Sequence, residues 1–171
     1  MYEAYCKLRK GRRKELSERA LWYINDADSE RIEYLGSLCH SAELQISGKL
    51  VRLFHAHPLH FNRYFPDSPI EQRLELFHYD QRGPGIKRQA DVAIYGDIHI
   101  PYLQTLNGKI LVNTGSVGNP LDIKQASYVI LEGEECGDKE ASFGIQFIRV
   151  PYNIERAVEI AQRSSMPEVN N

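Results

Sequence analysis

The sequence predicts an α/β fold, built as a mixed-sheet α/β sandwich. Three observations predict it. Apolar residues recur at helical spacing near both ends of the chain. Between them, short apolar or alternating runs follow one another from Leu44 to Val150. Three of these runs, ending at Phe54, Tyr95 and Val112, lead into loops rich in His, Asp, Asn and Ser. Such loops are expected to meet at one edge, where α/β sheets carry their ligands.

In chain order, Tyr5, Leu8, Leu16, Ala20 and Ile24 keep an apolar stripe on one side of a helical stretch that Gly11 interrupts. A second helix starts near Asp28 or Ser29, either of which can cap it, with Ile32, Leu35 and Leu38 inward. Leu44 and Ile46, the Ser47-Gly48 turn and the run from Leu50 to Phe54 read as a hairpin. A loop from His57 leads to a helix from Pro69 to Tyr79, with Pro69 in its first turn. A second loop, containing Gly83-Pro84-Gly85, separates it from strands at 91–95, 102–106 and 109–113. The last two of these are joined at Asn107-Gly108, a strong hairpin turn. Strands at 126–131 and 143–150 follow, then a helix from Asn153 to Arg163 with Ile154, Ala157, Val158 and Ala161 inward. Residues 165–171 read as a disordered tail.

A chain of 171 residues suits a single domain spanning 1–171 and can bury a core without staples. The formal net charge of −2 gives no global pull toward nucleic acid or membrane. The basic residues from Lys7 to Lys14 are diluted by Glu3, Glu15 and Glu18, so a solvated helix face outweighs a nucleic-acid contact. No apolar run approaches the roughly 20 residues that span a bilayer, so no membrane partner is expected. Cys6, Cys39 and Cys136 form no Cys-x-x-Cys pair, which argues for a cytoplasmic protein with buried structural thiols. Homo-oligomerisation is left open.

The chemistry lies in the three loops. In Phe54-His55-Ala56-His57-Pro58, both imidazoles point to one side if the chain stays extended, though a lone His-x-His pair is a weak metal signal. In Tyr95-Gly96-Asp97-Ile98-His99, Gly96 permits a bend, and Asp97 and His99 stand two residues apart. Either they face one ion, or they tie the loop with a hydrogen bond. No Lys or Arg lies between Val92 and Gly108 to balance Asp97 locally. In the run from Asn113 to Asn119, glycines and Ser116 either bring N–H groups to an anion or make a tight connection.

In order, these stretches read HAHP, GDIH and NTGSVG. The set resembles the C-terminal motifs of the calcineurin-like metallophosphoesterases, whose usual forms are His-Gly-x-Pro, Gly-His-x-His and Asn-Pro-Gly-Ser-x-Gly. The resemblance runs from about 48 to 131, is most specific from Ala93 to Asp122, and is strongest toward the small bacterial phosphodiesterase-like members. It implies a metallophosphoesterase-type sandwich and a metal-dependent phosphoesterase acting on a small-molecule phosphomono- or phosphodiester. It implies His55 and Asp97 on the second metal, where the family more often has histidine at the Asp97 position, and His99 on the first. The ions would be Mn2+, Fe2+ or Zn2+, two in the complete enzyme. His57 has no fixed family role and is a candidate catalytic residue, either touching the phosphate or standing behind the ligands. Asn113 and Ser116 resemble loop-shaping residues.

The family's Asp-x-His, Gly-Asp and Gly-Asn-His-Asp motifs do not occur before His55. The chain therefore reads as a metallophosphoesterase domain with its N-terminal portion missing, supplying the C-terminal ligands and weakly active or inactive alone. Two metals about 3.5–4 Å apart would activate a hydroxide for in-line attack on phosphorus. The alternative is a non-catalytic scaffold or binding module of the same fold.

Overall fold

The computed structural model describes residues 7–56, 63–78 and 89–167. The chain divides into two compact units, Met1–Cys39 with Asn153–Asn171, and His40–Tyr152.

In the first unit, a 3-10 turn at Arg13–Glu15 follows Gly11, whose φ of 73° breaks the first helical stretch. Helices α1 (Glu18–Asp26) and α2 (Ser29–Ser37) follow. Ser17 Oγ accepts the Ala20 N–H at 3.1 Å and Asp28 Oδ1 the Arg31 N–H at 2.8 Å, so each caps its helix. Ile24 and Ile32 are buried, whereas Leu35 and Leu38, expected inward, are exposed. In the last helix, named α4 below, Ala157 and Val158 are likewise exposed. A helical stripe identifies a face and leaves open what covers it. Trp22 Nε1 donates to Ser164 O at 3.0 Å.

The second unit holds β1 (Ser41–Ile46), β2 (Lys49–Phe54), α3 (Ile70–Glu75), β3 (Val92–Tyr95), β4 (Tyr102–Leu106), β5 (Lys109–Asn113), β6 (Ala126–Gly133) and β7 (Phe143–Val150). Helix α4 (Ile154–Arg163) belongs to the first unit and is capped by Asn153. Five strands form one sheet in the order β1-β2-β3-β5-β4. The middle pairs β2–β3 and β3–β5 are parallel; the edge pairs β1–β2 and β4–β5 are antiparallel hairpins. Both hairpin turns, Ser47-Gly48 and Asn107-Gly108, hold two positive φ angles, as tight two-residue turns require.

Alternation along the central strands splits the core. Val51, Val92, Ile94 and Val112 pack with Val129, Leu131, Phe143 and Ile145 of the separate β6–β7 hairpin. Leu50, Phe54, Ala93, Tyr95 and Leu111 face the other way, onto Tyr64, Leu76 and Phe77. The expected mixed-sheet sandwich is therefore present. Helix α3 is shorter than its pattern suggests. Leu76 and Phe77 are fully buried, and their N–H groups bond to Arg73 O and Leu74 O, tightening the chain as it enters the core.

One charged residue sits inside this core. Arg52 is fully buried on β2, donating from Nη1 to Phe77 O at 2.9 Å and from Nη2 to Glu43 Oε1 at 2.7 Å. A guanidinium at that depth requires such partners. Cys39 and Cys136, expected as buried thiols, are exposed and free; Cys6 lies outside the described residues. Both exposed cysteines fall outside the regular elements, where no apolar pattern buries them.

Candidate metal centre

Parallel pairing brings the C-terminal ends of β2, β3 and β5 to the same edge. There His55, Gly96, Asp97, His99, Thr114, Ser116, Val117 and Tyr128 line one cleft of about 390 Å³. The three loops thus meet as the sequence implies. His57 lies outside the described residues.

Three close approaches set the geometry. His55 O accepts the Gly96 N–H at 2.9 Å, and a Cβ on Gly96 would lie 3.2 Å from His55 Nδ1. A side chain there would press on the imidazole, which would have to give by a few tenths of an ångström. Asn113 is fully buried; its Nδ2 donates to Gly96 O and its Oδ1 accepts the Gly115 N–H at 3.0 Å. This one amide ties the turn after β3 to the loop after β5. Ser127 on β6 closes the far side, donating from Oγ to Thr114 O at 2.9 Å, while its N–H bonds to Ser116 O at 2.9 Å.

The turn from Gly96 to His99 is not extended. Asp97 and His99 have φ of 66° and 60°, and the Ile98 N–H bonds to Gly96 O at 2.8 Å. Strand alternation therefore does not account for their shared placement. Instead Ile98 is buried in the core, and Asp97 and His99 flank it at the cleft. Left-handed backbone at non-glycine residues costs energy and clusters at functional sites. Tyr95 anchors the strand end: its hydroxyl donates to Tyr64 O and pairs with that of Tyr102. Burial, then the Tyr102 hydroxyl, pushes the Tyr95 phenol far up, so it stays neutral.

Four N–H groups of the loop after β5 are taken by the protein itself. Thr114 N–H bonds to Tyr95 O, Gly115 N–H to Asn113, and the N–H groups of Gly118 and Asn119 to Ser116 Oγ. These bonds bear out the tight connection.

Two imidazoles and a carboxylate lining one cleft are suitable donors for a divalent transition metal. Even so, among the described residues no group of three His, Cys, Asp or Glu side chains is placed to hold an ion. The donor types fit, while the coordination shell is not closed by these residues alone. Asp97 also has a cation that sequence inspection missed: Arg63 Nε stands 3.5 Å from its Oδ2. Arg63 is remote in sequence, so nothing local announces the pair. Ser127 was likewise silent, being one serine in an alternating strand.

Residues 24–135 match the calcineurin-like phosphoesterase superfamily domain. The chain belongs to this superfamily, whose members are generally hydrolytic phosphoesterases and typically bind divalent metals. It is 30% identical over 167 residues to an uncharacterised protein of Methanocaldococcus jannaschii, covering 86% of this chain and 60% of that one. The fold resembles the crystal structure of a hypothetical protein from Pyrococcus horikoshii OT3, with a TM-score of 0.67 and 16% identity over 90% of this chain and 58% of that one. The chain thus spans about 60% of the length of the relatives it matches. Among the described residues, no helix is long and apolar enough to cross a membrane.

Proposed function

We propose that this chain contributes to a metal-dependent phosphoesterase site, acting on a small phosphomono- or phosphodiester. The observation that carries the proposal is the meeting of His55, Asp97 and His99 at one cleft, in a member of this superfamily. A divalent ion, when bound, lowers the pKa of water and neutralises charge on a phosphoryl group. His55 and His99 serve as neutral imidazole donors and Asp97 as a hard, charged one. His57, two residues beyond His55, is the candidate for touching the phosphate. Mn2+, Fe2+ and Zn2+ all suit a donor set of imidazole and carboxylate. The free thiols of Cys39 and Cys136 suit a reducing cytoplasm.

That no group of three such donors is placed to hold an ion among the described residues supports a second reading, in which the fold serves as a binding module without turnover. Metal titration separates the two. For the phosphoesterase site, the purified chain should bind Mn2+ weakly and hydrolyse an aryl phosphodiester slowly or not at all. Asp97→Asn, which keeps shape but removes charge, should weaken Mn2+ binding roughly ten- to a hundredfold, taking loss of an outer-shell partner as a lower guide. Unchanged affinity in calorimetry would remove Asp97 from the ligand set and favour the binding module.

A further inference from the structure

We propose that Arg63 and a divalent ion are alternative partners of Asp97, so that in the metal-free site the carboxylate is neutralised by the chain's own arginine. The inference rests on the reading of Asp97 as a ligand. The Asp97 carboxylate brings a charge to the cleft that needs a counter-ion. Asp97 is largely buried, its side chain 18% exposed, and Arg63 Nε lies 3.5 Å from its Oδ2. Arg63 is not placed there by a loose loop. The next residue, Tyr64, is 3% exposed, and its carbonyl accepts the hydroxyl of Tyr95, the last residue of β3 and the one before Gly96. The backbone carrying the guanidinium is therefore fastened to the strand that carries Asp97.

An ion coordinated by Asp97 and the Arg63 guanidinium would be like charges a few ångströms apart, so they cannot share the carboxylate without mutual repulsion. The Arg63 side chain is 65% exposed, so it can swing into solvent when an ion arrives. Exposed ion pairs are weak, which keeps this exchange reversible. Arg63 thus acts as a positioning residue on Asp97: it neutralises the carboxylate in the empty site and raises the ion concentration needed to fill it.

The test is calorimetric titration of Mn2+ into the full chain and four variants, namely Arg63→Gln, Arg63→Lys, Asp97→Asn and His99→Ala. Arg63→Gln should bind Mn2+ up to about fivefold tighter than the parent, the range an exposed ion pair can supply. Arg63→Lys keeps the charge and should stay near the parent. In the Asp97→Asn background, adding Arg63→Gln should bring little further change, because the carboxylate the two cations compete for is gone. Unchanged or weaker binding in Arg63→Gln, with Asp97→Asn and His99→Ala still weakened, would overturn this inference and leave the metal site standing. If Asp97→Asn and His99→Ala bind as the parent does, the metal site itself fails and the inference with it.

Discussion

Asn113→Ala should cost about 2–4 kcal/mol of stability and loosen the cleft at the same time. Its side chain is fully buried and satisfies Gly96 O and the Gly115 N–H. Alanine leaves the N–H without its partner and removes a donor from the carbonyl, at about 1–3 kcal/mol for each buried group left wanting. The loss also frees the turn bearing Asp97 and His99 from the loop bearing Ser116, so Mn2+ affinity should fall with stability. Asn113→Asp is the sharper control. It keeps an acceptor for the Gly115 N–H but turns a second oxygen toward Gly96 O, so it should be no more stable than alanine above the carboxylate's pKa. Urea denaturation of the three proteins measures this. A loss below about 0.5 kcal/mol for both variants would show that the amide does not hold the loops together.

Gly48→Ala is the second large effect, and it lies away from the site. Gly48 has φ of 62°, and a Cβ there would lie 2.5 Å from Asp138 C and Lys139 N. Backbone, not a flexible side chain, blocks it. The turn is locked against this loop by Ser47, whose N–H bonds to Glu134 O at 2.7 Å and whose Oγ donates to Ser142 O at 2.5 Å. Alanine meets both left-handed strain and a displaced segment, together about 3 kcal/mol or more. For a chain of this size that lowers Tm by roughly 6–12 °C. Gly108→Ala is the control: its φ is 76°, but nothing lies within 4 Å, so only the conformational cost of about 1 kcal/mol applies. Equal losses in the two variants would mean that the 134–142 loop does not press on the hairpin.

Much of the second unit was legible in the sequence because its signals are local. Asn107-Gly108 and Ser47-Gly48 dictate their turns, and wholly apolar β3 announces a strand buried on both faces. The meeting of the three loops was legible for the same reason: each follows an apolar strand, and parallel neighbours end at one edge. What the sequence hid depends on distance along the chain. The Arg63–Asp97 pair spans 34 positions (97 minus 63), and the Arg52–Phe77 bond spans 25. The left-handed backbone at Asp97 and His99 was also hidden, since neither residue type demands it. It follows from burying Ile98 between them and from the Asn113 amide fixed on Gly96 O.

The most direct test of the metal centre is to add Mn2+ stepwise to isotopically labelled chain and follow paramagnetic line broadening in the spectrum. Broadening should begin at His55, Asp97, His99 and Thr114–Ser116, and should spare the Ser47-Gly48 and Asn107-Gly108 turns, at the opposite ends of β2 and β5, until far higher concentrations. His99→Ala should abolish the early response. Broadening that starts elsewhere, or that survives His99→Ala unchanged, would contradict an ion site at the ends of β2, β3 and β5.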